Sequence, residues 1–235
     1  MGPFTAVVSL GSDCTSAAQI DQFFHAKRPS SPFDWLTTPV EGLVAVLAER
    51  GARFALSMRP SADTVLCQHY GVAYHHEFPR DGDYTPIFSE AAIRASREKL
   101  LYKLGAMLET TRRNRTLFLV TGLSTNLAGD IYGHRAVTAS VLNQAPSLIE
   151  RVSGRDDFAI ALMLRDGRRL GRDYADRVEP DVALDPRFVP FPCPMTDETP
   201  LLGDPVLFAP VFRHFGLEPE SAIGGGAEAD AAPYA

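Results

Sequence analysis

The sequence predicts an α/β fold, a three-layer sandwich in which a mostly parallel sheet lies between two layers of helices. Three continuous apolar runs, at residues 6–10, 116–120 and 158–164, are the first observation. Strands that are apolar without alternation are typical of parallel strands buried on both faces. The second observation is that segments with helical periodicity separate these runs, which is the order of a layered α/β domain.

The first strand leads directly into a helix that carries a cysteine at its start. After Ala6 to Leu10 the chain passes Gly11 and reaches Cys14, and the apolar residues that follow have helical spacing: Ala17, Ile20, Phe23 and Phe24. The helix is therefore predicted to begin at or just after Cys14. Gly11 would allow the sharp turn that this arrangement requires.

Further helices are predicted from their start signals and periodicity. Thr38-Pro39-Val40-Glu41 has the pattern of a capping box with proline at the first helical position, and Gly51 would end that helix. The other helices are expected at about 89–111, at 135–152 with an interruption near Pro146, and from Asp204-Pro205 onward, where Asp204 is expected to cap the helix.

The chain is expected to form a single domain over residues 1–215. Residues 53–88 mix short apolar runs with Pro60, Pro79 and Pro86, and long irregular segments of this kind often carry function. Residues 216–235 contain three consecutive glycines and many alanines and acids, so a disordered tail is predicted there.

Composition and charge exclude several classes of protein. The 235 residues are 45% hydrophobic and 22% charged, which is typical of a globular protein, and the net charge of -6 argues against nucleic-acid binding. The two short basic stretches, at 112–115 and 165–172, are expected at the surface. Since no apolar run approaches the ~20 residues of a membrane span, no membrane association is expected.

The cysteines indicate a reducing compartment. Cys14, Cys67 and Cys193 are an odd number at wide spacing, which fits neither a disulfide framework nor a CxxC metal site. The N-terminus lacks the pattern of a secretion signal, so a cytoplasmic location is expected. The histidines and carboxylates have no HExxH or comparable spacing, and no metal or other cofactor is expected.

Cys14 is the candidate nucleophile. Unpaired N–H groups and the positive end of the helix dipole at the helix start would stabilise a thiolate. The backbone around it, at Gly11, Ser12, Asp13 and Thr15, would supply an oxyanion site or bind the ligand. The alternative is a buried structural cysteine, which is also our interpretation of Cys67 and Cys193.

Several blocks of the sequence resemble a known family. These blocks follow the order found in a bacterial family of unknown function whose members are classed as papain-like cysteine peptidases: Ser-Leu-Gly-Ser-Asp-Cys at 9–14, Ser-Pro-Phe-Asp-Trp at 31–35, His-Glu-Phe at 76–78, Leu-Phe-Leu-Val at 117–120 and Gly-Asp at 203–204. The resemblance implies a cysteine and histidine pair. It also implies, as an alternative fold, the papain-like α+β arrangement, in which a helix carrying the cysteine packs against an antiparallel sheet.

The resemblance points to His76 as the general base, with its neighbour His75 as a second candidate. Asp34, held between Phe33 and Trp35, could orient the histidine as the third member of a triad, or could equally form an Asx turn. Asp204 is the other candidate for the third role, and His134 and His214 are further histidines that could join the site.

The function expected from these residues is acyl chemistry with a cysteine nucleophile. The enzyme would be a hydrolase or an acyltransferase acting on an ester, thioester or amide, with a small-molecule, acyl or peptide substrate. The alternative is a non-catalytic module that binds an anionic sugar- or phosphate-containing ligand in the crevice at the strand ends. The sequence leaves the oligomeric state open.

Overall fold

A computed structural model describes residues 2–61, 64–74, 76–83, 85–127, 130–134, 136–221 and 223. The helices are α1 (Thr15–Phe23), α2 (Val40–Glu49), α3 (Glu90–Arg113), α4 (Ala139–Leu142), α5 (Gln144–Ser153) and α6 (Pro205–His214). The strands are β1 (Ala6–Ser9), β2 (Met58–Ser61), β3 (Thr64–Cys67), β4 (Val72–Ala73), β5 (Thr116–Thr121), β6 (Ser124–Leu127), β7 (Asp130–His134), β8 (Ala136–Thr138), β9 (Ala159–Arg169), β10 (Arg172–Ala175), β11 (Arg177–Glu179) and β12 (Phe188–Met195).

The central sheet has five strands, and four of them are parallel. β1 pairs with β5, β5 with β9, and β9 with β12, all in the parallel sense, while β10 folds back antiparallel on the second half of β9. Helices connect β1 to β5 and β5 to β9, whereas β10 and β11 lie between β9 and β12. The chain has the mixed α/β fold that the three apolar runs predict. β1 ends at Ser9, opposite Leu119 of β5, and β5 ends at Thr121, opposite Met163 in the middle of β9.

Both faces of the central strands are buried, as their continuous apolar character predicts. Alternate residues enter two separate hydrophobic clusters: Val8, Phe118 and Ile160 belong to one, and Val7, Leu117 and Ala161 to the other. The first cluster includes residues of α2, α3 and α5, for example Leu47, Leu104 and Ile149. The second includes residues of α1 and α6, such as Ile20 and Phe212. The sheet therefore contacts helices on each of its faces.

Residues 53–88, expected to be irregular, include a small antiparallel sheet. β2 pairs with β3 and β3 with β4, and Thr37 bridges to Ala73 in β4. Two more pairs, β6 with β7 and β8 with β11, form separate two-stranded sheets.

Two predicted helix starts are wrong in detail. Thr38 does not cap α2, because the residue before the helix is Pro39 and the buried Thr38 hydroxyl has no hydrogen-bond partner among the described residues. The helix predicted at 135–152 begins with the short strand β8 and divides into α4 and α5. Pro146 lies in the first turn of α5, where a missing N–H leaves no helical hydrogen bond unmade.

The packed part of the chain continues beyond the expected boundary at residue 215. Leu217 and Ile223 are both 2% exposed and belong to the same cluster as α1 and α6. The backbone N–H of His25 donates to the carbonyl of Pro219 at 3.1 Å, which ties this segment to the end of α1. Residues 224–235 of the predicted tail lie outside the described residues.

Candidate active site

Cys14 lies where the sequence predicts it, between the end of β1 and the start of α1. Gly11 has a φ of +86°, a conformation that residues with a side chain rarely adopt. Its carbonyl accepts hydrogen bonds from the N–H of Thr121 at 3.1 Å and from the hydroxyl of Ser16 at 2.7 Å. These bonds fix the loop that carries Cys14 to the carboxyl end of β5.

Cys14 and His76 line the same cavity, which has a volume of about 540 Å³. A series of backbone contacts brings them there. The N–H of Thr38 donates to the carbonyl of Ser12 at 2.8 Å, and Thr37 exchanges two hydrogen bonds with Ala73, shortly before His76. Cys14 and His76 therefore share one cavity wall, and the other candidate base, His75, lies outside the described residues.

The rest of the cavity wall combines arginines with large apolar side chains. The ring of His76 lies edge-on to that of Trp35, with 5.7 Å between the centroids. Leu170 and Leu201 line the cavity although they are 68% and 72% exposed, so they stand at its mouth. Other lining residues are Asp13, Thr15, Leu36, Thr37, Thr121, Arg165, Arg169, Arg172, Tyr174, Cys193, Met195, Thr199, Leu202, Gly203, Asp204, Leu207 and Phe208.

The Cys14 thiol is protonated at neutral pH, contrary to the expectation from the helix N-terminus. Burial, together with the negative charge of Asp13, raises the pKa of Cys14 to about 11, although its own backbone N–H opposes the shift. At pH 7 the thiolate fraction is then roughly 10⁻⁴. A nucleophilic role for Cys14 consequently requires a base that removes the thiol proton during attack.

Asp13 connects the Cys14 loop to β9. Its Oδ1 accepts the N–H of Thr15 at 2.9 Å, and its Oδ2 lies 3.1 Å from Nη1 of Arg165. Arg165 also contacts a second carboxylate: its Nε lies 3.0 Å from Oδ2 of the fully buried Asp176. Although burial opposes the charge, Asp176 and Asp13 raise the pKa of Arg165 above its ordinary value. Arg165 is therefore held as a cation between two carboxylates.

Gly122 leaves the space that Arg165 occupies. A Cβ at residue 122 would lie 2.1 Å from Cζ of Arg165, and its φ of +80° also favours glycine. The N–H of Gly122 donates to the carbonyl of Met163 at 2.8 Å, so the backbone is fixed at this contact. The end of β5 thus depends on a residue without a side chain.

The basic stretch at 165–172 is not uniformly at the surface. Arg168 and Arg172 are exposed, as predicted, but Arg165 and Arg169 are only 6% and 7% exposed. β9 continues past Leu164, so alternate residues keep facing the cluster that contains Met163, and both arginines lie on that face. In the sequence, the burial of both arginines is indicated by their spacing: Met163, Arg165, Gly167 and Arg169 follow one another at every second position of the strand.

Most of the proposed oxyanion donors have other partners. The N–H of Gly11 donates to the hydroxyl of Ser9 at 3.2 Å, and the N–H of Thr15 is bound by Asp13. Ser12 is 2% exposed and its carbonyl accepts from Thr38, so it contributes to the loop rather than to the cavity wall. The backbone N–H groups of Asp13 and Cys14 remain as candidate donors, and that of Cys14 lies against Sγ.

Asp34 has a structural role rather than the proposed catalytic one. Its Oδ1 lies 2.9 Å from Nη1 of Arg28, and its Oδ2 accepts the N–H of Ser31 at 2.9 Å, so it closes the turn at 31–34. Phe33 is fully buried and Trp35 lines the cavity, but Asp34 does not. Asp34 therefore closes a turn, as in the structural alternative, but its hydrogen bond runs back to Ser31 rather than two residues forward as in an Asx turn.

The other candidate residues have simpler explanations. Asp204 caps α6 by accepting the N–H of Val206 at 3.0 Å, as predicted, although it also lines the cavity. His214 packs against Phe191 and does not line the cavity, and the side chain of His134 is outside the described part of the chain. Cys193 is 3% exposed among the core residues of β12, and burial raises its pKa to about 11.

Gln19 is a further site residue that the sequence did not reveal. Its buried Nε2 donates to the carbonyls of Leu202 at 2.7 Å and Gly203 at 3.2 Å, which holds the 201–203 wall against α1. Gly203 packs so closely that a Cβ would lie 2.8 Å from Cγ2 of Thr15. In the sequence, the one indication of this contact is the position of Gln19 itself, a polar residue next to Ile20 on the buried face of α1.

Comparisons of the chain with protein families, curated proteins and solved structures find no match. Within the described residues, no helix is both long and apolar enough to cross a membrane. The same part of the chain contains no group of three or more histidines, cysteines, aspartates or glutamates placed to hold a metal ion.

Proposed function

We propose that the protein catalyses acyl chemistry through Cys14, as a hydrolase or an acyltransferase that acts on an ester, thioester or amide. The observation that carries the proposal is that Cys14, the one partly exposed cysteine of the three, shares a cavity with His76. The motif resemblance to papain-like cysteine peptidases supports the same pair. Cys14 and His76 act as a dyad in this proposal, since Asp34 is bound to Arg28.

In the proposed reaction His76 removes the thiol proton while Sγ attacks the carbonyl carbon and forms a C–S bond. The bond to the leaving group then breaks, and the leaving group takes the proton from His76. The N–H of Cys14 donates to the oxyanion of the intermediate. Water or an acceptor hydroxyl, thiol or amine next attacks the acyl-enzyme, which restores the thiol.

We also propose that the protein is a three-layer α/β sandwich and that it is located in the cytoplasm. Helices on each face of a mainly parallel sheet support a three-layer sandwich rather than the antiparallel papain-like arrangement. All three cysteines are free, which supports the reducing environment of the cytoplasm.

A non-catalytic module that binds an anionic ligand is the second candidate. The raised pKa of Cys14 favours it, because a thiol that stays protonated is a weak nucleophile without a working base. The two candidates differ in what Cys14 does: an enzyme loses its activity when the thiol is removed, whereas a binding module keeps its ligand.

The test is release of 4-nitrophenolate from 4-nitrophenyl hexanoate by the wild type, Cys14→Ser, His76→Asn and the control Cys67→Ala, since Cys67 packs in the hydrophobic core and does not line the cavity. The proposal expects Cys14→Ser and His76→Asn each to lower the rate by at least about a hundredfold, in the range of a lost nucleophile or base, with Cys67→Ala close to the wild type. Equal rates for the wild type and Cys14→Ser would overturn it.

A further inference from the structure

We propose that the acyl group accepted by Cys14 carries an anionic group, a carboxylate or a phosphate, and that Arg169 binds this anion in the cavity. The part of the inference that concerns the acyl group rests on the proposed function. The anion site itself depends only on the structure around Arg169.

Arg169 is a buried guanidinium without a carboxylate partner among the described residues. It is 7% exposed, it lines the cavity, and Nη1 donates to the carbonyl of Leu201 at 3.3 Å. Its Nε is buried and has no acceptor in the described part of the chain. A guanidinium has five N–H donors, so the described residues leave most of the hydrogen-bonding capacity of Arg169 unused.

Burying a guanidinium without a carboxylate partner lowers the stability of the folded protein, unless a bound anion compensates its charge. Arg165, two positions earlier on the same face of β9, shows the contrast, because Asp13 and Asp176 contact it from two sides. Arg165 is therefore neutralised by the protein itself, whereas Arg169 has its charge available for a ligand. Carboxylates and phosphates fit the planar fork of arginine and make the stronger, charge-assisted hydrogen bonds.

The spacing along β9 places the anion apart from the reacting carbonyl. Arg165 contacts the Cys14 loop through Asp13, and Arg169 lies four residues further, roughly 13 Å along the strand. A ligand that reaches both Cys14 and Arg169 must have several atoms between its carbonyl and its anion. Leu170, Leu201 and Leu202 line this end of the cavity, so an apolar linker suits it.

A matched pair of probes tests the inference. The mono-4-nitrophenyl ester of adipic acid and 4-nitrophenyl hexanoate have six-carbon acyl groups and the same leaving group, and differ in a terminal carboxylate. In both cases the Cys14 thiol forms a bond to the acyl carbon and 4-nitrophenolate leaves. The inference expects the wild type to react at least about tenfold faster with the adipate ester, as one charged hydrogen bond to Arg169 would give.

Arg169→Gln should remove this preference, and Arg169→Lys should retain part of it. The hexanoate rate of each variant shows whether its site is still folded. Arg168→Gln is the control, because Arg168 is an exposed arginine on the opposite face of the same strand. It should keep the preference of the wild type.

A binding measurement separates the anion site from the acyl chemistry. The Tm of the wild type, Cys14→Ser and Arg169→Gln is measured with adipate, with inorganic phosphate, and with chloride at the same ionic strength. A rise with adipate or phosphate that Arg169→Gln abolishes supports the anion site, even if neither ester acylates Cys14 and the proposed acyl chemistry fails. The anion that gives the larger rise identifies the carboxylate or the phosphate as the preferred group. Equal ester rates, together with no rise for either anion, would overturn the inference while acylation of Cys14 still stood.

Discussion

The carboxylate of Asp13 lies 3.1 Å from the guanidinium of Arg165, a residue 152 positions later in the chain. The same carboxylate accepts the N–H of Thr15 at the start of α1. One side chain thus fixes the cysteine loop to β9 and also places a negative charge beside the thiol. Asp13 therefore stabilises the shape of the site, while its charge adds to burial, the larger cause, in raising the pKa of Cys14.

Alkylation of Cys14 by iodoacetamide should be slow at pH 7 and should increase about tenfold per pH unit up to about pH 10, because only the thiolate reacts. The rate should level off near the pKa of about 11. Cys14 should still react faster than Cys67 and Cys193, because those two are buried. Peptide mapping of the labelled protein across this pH range gives the three rates.

Asp13→Asn should raise the alkylation rate of Cys14 at pH 8 by roughly threefold to tenfold, since loss of the adjacent charge lowers the pKa of Cys14. Asp204→Asn is the matched control: Asp204 also lines the cavity, but it is not among the charges that shift Cys14. A rate that is the same in Asp13→Asn and the wild type would show that the charge of Asp13 does not raise the pKa of Cys14.

Gly122→Ala should destabilise the protein by more than about 2 kcal/mol, because the added methyl group collides with Arg165 and the backbone has a positive φ. Urea unfolding followed by circular dichroism measures the change. Gly105→Ala is the control, since Gly105 lies in α3 and a Cβ there meets nothing within 4 Å. Gly105→Ala should raise the free energy of unfolding by about 0.5–1 kcal/mol. Similar stability of the two variants would contradict the packing described at Gly122.

Asp34→Asn should lower the free energy of unfolding by about 1–3 kcal/mol, because a charged hydrogen bond to the buried Arg28 is lost. The rate of Cys14 acylation per folded molecule should be unchanged, since Asp34 does not line the cavity. Chemical unfolding measures the free energy of unfolding, and the 4-nitrophenyl ester assay measures the rate of acylation. A large loss of rate at unchanged stability would return Asp34 to the catalytic site.

Gln19→Ala should lower the free energy of unfolding by about 1–3 kcal/mol, because two carbonyls of the 201–203 wall lose their donor. Gln144→Ala, at an exposed glutamine in the first turn of α5, should change the free energy of unfolding by less than about 0.5 kcal/mol. Both values come from urea unfolding. Equal effects would mean that the contact of Gln19 with the 201–203 wall contributes little.

The sequence predicted the parts of the fold that depend on local periodicity. Apolar runs located β1, β5 and β9, and the Asp204-Pro205 signal located the start of α6, because these patterns report burial and capping within one element. The end of β9 was missed since its apolar run stops at Leu164, while the strand continues through charged residues. β12 was missed because prolines occupy alternate positions at 190, 192 and 194.

The candidate site was predictable only in part. Cys14 could be placed from the strand, glycine and helix that surround it, but its protonation depends on burial and on Asp13, which local sequence does not specify. The role of Asp34 stayed open between a triad and a turn because its partner Arg28 becomes apparent only when the turn at 31–34 is folded. Arg165 and Arg169 resembled a surface patch, since four arginines within eight residues conceal the two-residue spacing of a strand.

The central claim is that Cys14 forms an acyl-enzyme with the help of His76. Its most direct test is mass spectrometry of the protein quenched in acid after brief exposure to 4-nitrophenyl hexanoate, followed by peptide mapping. The proposal predicts a single hexanoyl group on Cys14, much slower formation in His76→Asn, and none on Cys193 or Cys67. An unmodified Cys14, or an acyl group that forms equally fast in His76→Asn, would contradict it.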